Sequence, residues 1–203
     1  MRLSLRCAEI AETVKYREST TLPHRVARLN ARWNAPAGGP SEDERFEQAS
    51  ALCGQEFAEA LDYIVNCDLP ARAIVEEALL KRNDTHACGQ VIVFPHSGCP
   101  WKGHLYELEK KHTVTELVKF VLYKDTAGMW RVQAVTAEGT AFTNRLSLPE
   151  AWRGVRDAAL VEVSKIAGCT FCHANGFIAG NATYEGAVAM AKAALDGLAN
   201  GSA

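Results

Sequence analysis

No two histidines stand side by side anywhere in the 203 residues, and Asp84-Thr-His86 is the nearest approach to an acidic and imidazole cluster. Hydrolysis assisted by two metal ions needs such a cluster, typically an Asp-His-His run with further aspartates. The expectation is therefore no catalytic metal site and no catalytic residue in this chain. Long apolar runs are missing too: none approaches the roughly 20 residues that cross a bilayer, so no membrane partner is expected. Only seven prolines occur among 48% hydrophobic and 23% charged residues, which excludes a disordered or fibrous chain. Seven cysteines, an odd number, are scattered through segments that read as helix and strand. That is no disulfide framework, and a reducing compartment is expected. A one-sided charge is also lacking. The formal net charge is −2, which gives no global signature of nucleic-acid binding.

What is present divides at Ala35-Pro-Ala-Gly-Gly-Pro40, a cluster of chain breakers. Residues 1–40 form a basic N-terminal segment and linker, in which Arg2, Arg6, Lys15, Arg17, Arg25, Arg28 and Arg32 outnumber Glu9, Glu12 and Glu18. With no serine-rich continuation, this start reads as a truncated one rather than a targeting segment. Over 41–84, Phe46, Ala49, Cys53, Phe57, Ala60, Leu61 and Ile64 recur at three and four, as one face of a helix does. Pro70 then opens a second stripe of Ala71, Ile74, Val75, Ala78 and Leu79. Two helices packed as a hairpin fit this segment.

Residues 85–203 change character. Val91-Ile-Val-Phe94 is β-branched and reads as a strand. Trp101, Leu105 and Leu108 share one face of a short helix. Lys119–Lys124 and Met129–Val135 read as strands joined by a turn in which Gly128 supplies a positive φ. In the second of them Trp130, Val132 and Ala134 alternate with Arg131 and Gln133, so one face is buried and the other offers polar groups to solvent or ligand. A helix is expected from Pro149 to a Gly168 cap, then a strand at Cys169–His173, then a helix capped by Thr183 with Glu185 in its first turn. The fold class expected is α+β, α/β-like: a mixed sheet flanked by helices and preceded by the helical hairpin.

Three local patterns invite chemistry. Cys169-Thr-Phe-Cys172-His173 has the spacing of a c-type haem attachment, but thiols in a strand core account for it better. His86, Cys88, His96 and Cys99 have spacings unlike those of standard zinc knuckles. The segment from His173 to Gly186 holds three glycines and reads as a strand-to-helix turn whose amides could cradle an anion.

Taken in order, Thr20-Thr-Leu, Arg25-Val-Ala-Arg-Leu-Asn30, Trp33-Asn34, Leu69-Pro-Ala-Arg72, Val75-Glu-Glu-Ala-Leu79, Cys99-Pro-Trp-Lys102, His104-Leu-Tyr106, Arg145-Leu, Leu148-Pro-Glu-Ala-Trp-Arg-Gly154, His173-Ala-Asn-Gly-Phe-Ile178 and Glu185-Gly-Ala187 resemble the C-terminal half of the melanocyte-proliferating-gene exonuclease family, of the DHH phosphoesterase superfamily. The likeness runs over roughly residues 16 to 195. It implies that 85–203 is a DHH-associated substrate-binding domain of a metal-dependent 3′–5′ RNA exonuclease, and that the catalytic metal half lies outside this chain. It further implies manganese or magnesium as cofactor of the full-length protein only, the 3′ end of RNA or a nucleotide as partner, and a mitochondrial or nuclear location, with the cytoplasm as the intracellular alternative.

Arg145 and Arg153 would pair with phosphate, since guanidinium forks suit its oxygens, or else form surface or interdomain salt bridges. His173, Asn175, Gly176, Gly180 and Asn181 would line the turn. Where the family usually shows Gly-Gly-His, this chain has Ala179-Gly180-Asn181, so a chargeable imidazole becomes a neutral amide. The competing reading is a non-catalytic binding or scaffold module acting through protein partners, for instance as a homodimer.

Overall fold

The computed structural model describes residues 20–95 and 98–200. The basic residues before Thr20 and the zinc-pattern His96 lie outside them. Contacts divide the chain into two units, one ending at Tyr63 and one beginning at Ile64.

The first unit holds α1 (Leu22–Ala27), with Pro23 in its first turn, and α2 (Glu42–Tyr63). Ser41 and Glu44 form a reciprocal capping box at the start of α2: Glu44 N donates to Ser41 Oγ at 3.2 Å, and Ser41 N to Glu44 Oε2 at 2.7 Å. Arg25 pairs with Glu56 and ties α1 to α2. The apolar stripe of α2 stays open, with Phe46 and Phe57 each 70% exposed.

In the second unit a π-helical turn (Ile64–Asp68) leads into α3 (Leu69–Leu80). The two helices expected as a hairpin thus fall in different units, α2 in the first and α3 in the second. The stripe of α3 instead finds its partners within this unit, in β1 (Val91–Phe94) and α5 (Lys102–Lys111). A short helical turn, α4 (Arg82–Thr85), intervenes. Glu76 accepts from both Lys111 Nζ at 2.7 Å and the His112 ring at 2.8 Å, while Arg72 pairs with Glu107 at 2.7 Å. The Lys111 bond first, then His112, holds the Glu76 carboxyl below the ordinary range.

The sheet is completed by β2 (Phe120–Lys124), β3 (Trp130–Ala134), β4 (Cys169–Cys172) and β5 (Ile178–Asn181), in the order β1-β2-β3-β5-β4. β1 and β2 are parallel, α5 supplying the crossover that parallel strands require, and the other pairs are antiparallel. The mixed α+β fold is as expected from the sequence. Two cores follow from alternation along the strands. On one face Val91, Phe120, Leu122, Val132 and Ala134 pack with Trp152, Leu160, Met190 and Ala191. On the other, Ile92, Phe94 and Val121 meet Val75, Leu79, Trp101, Leu105 and Leu108 from α3 and α5. Trp101 of the Cys-Pro-Trp-Lys run packs on Phe94 at 6.1 Å between ring centroids, so that run builds core.

Two elements differ from expectation. The helix expected from Pro149 is a 3₁₀ turn (Glu150–Trp152), a bridge at Arg156 to Phe171, and only then α6 (Asp157–Ser164). Lys165, at φ 58°, closes α6 in place of Gly168. The strand-to-helix turn also contains a strand: β5 lies between β3 and β4, and α7 (Tyr184–Asn200) begins only after it. Thr183 does cap α7, its Oγ1 accepting from Gly186 N at 3.0 Å.

Candidate functional site

α3 and α5 cover only the β1–β2 half of their face of the sheet. On the β3-β5-β4 half the register places side chains in two cross-strand rows, because directly opposed residues share a face. One row runs Tyr123, Arg131, Gly180, Phe171, Arg156. The other runs Gln133, Ile178 and His173, the last continuing the ladder through its N–H to Ile178 O at 2.9 Å. Apart from Tyr123, which packs against the second core, none of these side chains belongs to either core.

Arg131 is the centre of the first row. Its guanidinium pairs with Asp125, whose carboxylate also accepts from Met129 N at 2.9 Å. The Met129 bond, followed after the opposing effect of burial by Arg131, holds the Asp125 carboxyl below the usual range. Asp125 sits in the β2–β3 turn, where Gly128 takes φ +85° as the sequence predicts. From there Arg131 lies across Gly180, where a Cβ would collide with Arg131 Nη1, meet Thr170 Oγ1 at 2.5 Å and Phe171 at 2.8 Å. Glycine in mid-strand is costly unless something must approach closely; here an arginine does. Its Cζ lies 4.9 Å from the Phe171 ring centroid, and that of Arg156 lies 5.9 Å from it. Beside them the Tyr123 hydroxyl donates to Gln133 Oε1 at 2.9 Å. Burial raises the Tyr123 pKa, so it remains a donor.

Four of the seven residues singled out from the sequence meet at the β4–β5 hairpin. Gly176 N donates to His173 O at 2.8 Å, and Asn175 N to His173 Nδ1 at 3.2 Å. A neutral His173 therefore carries its proton on Nε2. Its ring meets Phe177 edge-on at 4.6 Å. Arg153 packs against Gly176 and donates Nε to Leu148 O at 3.1 Å. Among the described residues no carboxylate pairs with Arg153 or Arg156, both exposed. Gly180, the fifth, is the floor under Arg131.

The other two are enclosed. The Arg145 side chain is 2% exposed and clamped to Glu109. Asn181 is 0% exposed, its Nδ2 donating to Ala167 O and its Oδ1 accepting from Thr183 N, both at 2.9 Å. The sequence reading missed Phe171 and Arg156. A register shift between Cys169 and Phe171 breaks the alternation that would have turned Phe171 outward, and the helix read from Pro149 hid Arg156. Gly154 was the available signal.

Cys169 and Cys172, the haem-like pair, are 4% and 2% exposed. Burial pushes the Cys172 thiol up to about 11, against a smaller lowering by Arg153. At pH 7.5 iodoacetamide is expected to alkylate the exposed Cys53, Cys67 and Cys88 and to spare this pair, by peptide mass spectrometry. Labelling of Cys172 in folded protein would contradict the enclosure. Among the described residues, no group of three or more His, Cys, Asp or Glu side chains is placed to hold a metal ion, and no helix is long and apolar enough to cross a membrane.

Comparison with known proteins adds a family. Residues 5–195 match the MYG1_exonuc model, described as "Uncharacterised protein family (UPF0160)". The chain is 48% identical over 181 residues to the MYG1 exonuclease of Rattus norvegicus, covering 89% of this chain and 47% of the rat protein. It is 47% identical over 181 residues to that of Homo sapiens, covering 89% and 48%. The MYG1 protein of Dictyostelium discoideum is 46% identical over 177 residues, covering 87% and 54%. The chain thus spans about half the length of the curated relatives it matches. No solved structure gives a significant match.

Proposed function

The chain belongs to the MYG1_exonuc family, and from that premise we propose that it is the portion of a metal-dependent 3′–5′ RNA exonuclease of the DHH superfamily that grips the 3′ end of the substrate. The relatives named exonuclease support a nuclease. The uncovered β3-β5-β4 face carries the rest of the reading. It gathers Arg156, Arg131, His173, Gln133 and Phe171, with Arg153 at the hairpin that ends it, a combination of cations, hydrogen-bonding groups and an aromatic that suits a polynucleotide and poorly suits a protein core.

Arg153 and Arg156 are the phosphate ligands in this scheme. Each is exposed, carries no carboxylate partner among the described residues and presents a donor fork that matches phosphate oxygens. Binding is then a matter of counterion release, and it weakens with salt. The Nε2 of His173 and the amide of Gln133 supply hydrogen bonds on the same side of the sheet. The manganese or magnesium that the full-length enzyme would use finds no fitting donor set among the described residues.

The test is fluorescence anisotropy with a 5′-labelled RNA ten-mer over a salt series. The chain is expected to bind in the micromolar to millimolar range. Arg153→Ala with Arg156→Ala should flatten the logarithmic salt slope by about 1.4, from roughly 0.7 per phosphate contact on a single strand. Absence of binding at millimolar protein, with the circular dichroism of a folded chain, would refute the proposal.

A further inference from the structure

Arg131 stands apart from Arg153 and Arg156. One terminal nitrogen of its guanidinium, Nη2, is already taken by Asp125. The pair is fixed on both sides: Asp125 by Met129 N, and Arg131 by the space that Gly180 leaves beneath it. An in-plane carboxylate leaves the flat faces of a guanidinium free, and such a plane stacks on aromatic rings. Its Cζ already lies 4.9 Å from the Phe171 centroid, while 22% of the Arg131 side-chain surface remains open to solvent. Arg156 reaches the same ring at 5.9 Å from a strand edge and carries an unspent charge.

We propose that Asp125, Arg131 and Phe171 form a stacking platform for an unpaired nucleobase, with Arg156 taking the adjacent phosphate, so that the chain selects single-stranded ends and rejects duplex. This rests on the reading that the face binds RNA and adds to it which form of RNA is taken. The physical ground is geometric. A base can lie on a guanidinium or an aromatic ring only after leaving its own stack, and stacking of this kind tolerates all four bases. The carboxylate acts as a positioning group: it fixes the plane of Arg131 and offsets its charge, so that the seat favours a base over a second phosphate. The sheet supplies no element that could enter a groove, and two grips of different kind placed side by side match the alternation of base and phosphate along one strand.

The experiment uses the whole chain and a ten-mer RNA carrying 2-aminopurine at its 3′ end, alone or annealed as a blunt duplex. The single strand is expected to bind at least ten-fold more tightly, and its 2-aminopurine emission to be quenched on binding, as stacking quenches it. Arg131→Lys is the deciding variant, because it keeps the charge and loses the plane. It should weaken single-strand binding five-fold or more and abolish quenching while leaving the salt slope unchanged. Phe171→Leu should do the same. Equal binding of single strand and duplex, or an Arg131→Lys variant that quenches like the parent, would overturn the platform and leave the broader RNA-binding reading standing. Failure of the parent chain to bind either RNA would remove both.

Discussion

Replacing Arg145 with methionine should cost about 3–5 kcal/mol of folding stability, the usual penalty for stranding one member of a buried ion pair, and should leave RNA binding by the folded fraction unchanged. The expectation comes from how completely the pair is enclosed. Arg145 Nη1 donates to Glu109 Oε1, and Nη2 lies against Oε2, each at 2.8 Å, with the two side chains 2% and 1% exposed. The clamp also satisfies backbone. Val118 N donates to Glu109 Oε1 at 2.9 Å and Arg145 Nη1 donates to Val118 O at 3.0 Å. The Tyr106 ring lies 5.2 Å from the guanidinium carbon.

Removing the arginine therefore leaves a carboxylate facing apolar side chains, along with a carbonyl that has lost a donor. Glu109→Leu should be at least as damaging, since a guanidinium cannot shed its proton to escape burial. The double variant, with neither charge, should recover most of the loss, and the coupling energy from the four proteins would isolate the pair. Urea unfolding followed by the fluorescence of Trp101, Trp130 and Trp152 reads all four. A loss below 1 kcal/mol for Arg145→Met, accompanied by weaker RNA binding, would return Arg145 to the ligand-contacting role that the sequence alone suggests.

The enclosure of Arg145 shows where sequence reasoning reaches its limit. A guanidinium is identical in the chain whether it meets phosphate or carboxylate. What decides is Glu109, which lies 36 residues away and is brought to Arg145 by the packing of α5 against the sheet. Elements carried by a single periodicity were legible. β1 falls on Val91–Phe94 and β2 and β3 flank a turn with Gly128 at positive φ, because β-branched runs and a glycine at a hairpin need no distant partner to be recognised. β5 was not legible. Ile-Ala-Gly-Asn has one good strand former, and its conformation is imposed by ladders from β3 and β4 on either side. The division at Tyr63 was hidden for a related reason: the stripes of α2 and α3 look alike, but only that of α3 is buried.

The candidate face was half visible. Alternation along β3 set Arg131 and Gln133 on the polar side, and the glycine-rich segment pointed to Gly180, although as a turn rather than as the floor beneath an arginine. Their conjunction with Phe171 and Arg156 depends on the bridge from Arg156 to Phe171 and on the bulge before Phe171, which are tertiary facts.

Gly186 offers the other large effect, and its sign is the informative part. Alanine for glycine in the first turn of a helix ordinarily stabilises by about 0.5–1 kcal/mol. In α7 a Cβ at position 186 would fall within contact of Cγ, Oδ1 and Nδ2 of Asn181 at once. That amide has nowhere to go. It is held by Ala167 O on one side and by Thr183 N and Oγ1 on the other, and Thr183 Oγ1 in turn accepts from Gly186 N. Gly186→Ala is therefore expected to destabilise by about 1–3 kcal/mol, as overpacking does. Asn181→Ala should cost about 1–3 kcal/mol by removing the buried amide that pairs with Ala167 O and Thr183 N. The two substitutions share one cause, so they should not add. With Asn181 already cut back to alanine, the extra methyl at 186 has room, and its effect should turn neutral or favourable as helix propensity reasserts itself. A Gly186→Ala protein that is more stable than the parent in urea would mean that the buried amide does not wedge β5 to α7, and the assignment of Asn181 to the fold rather than to a ligand would lose its support.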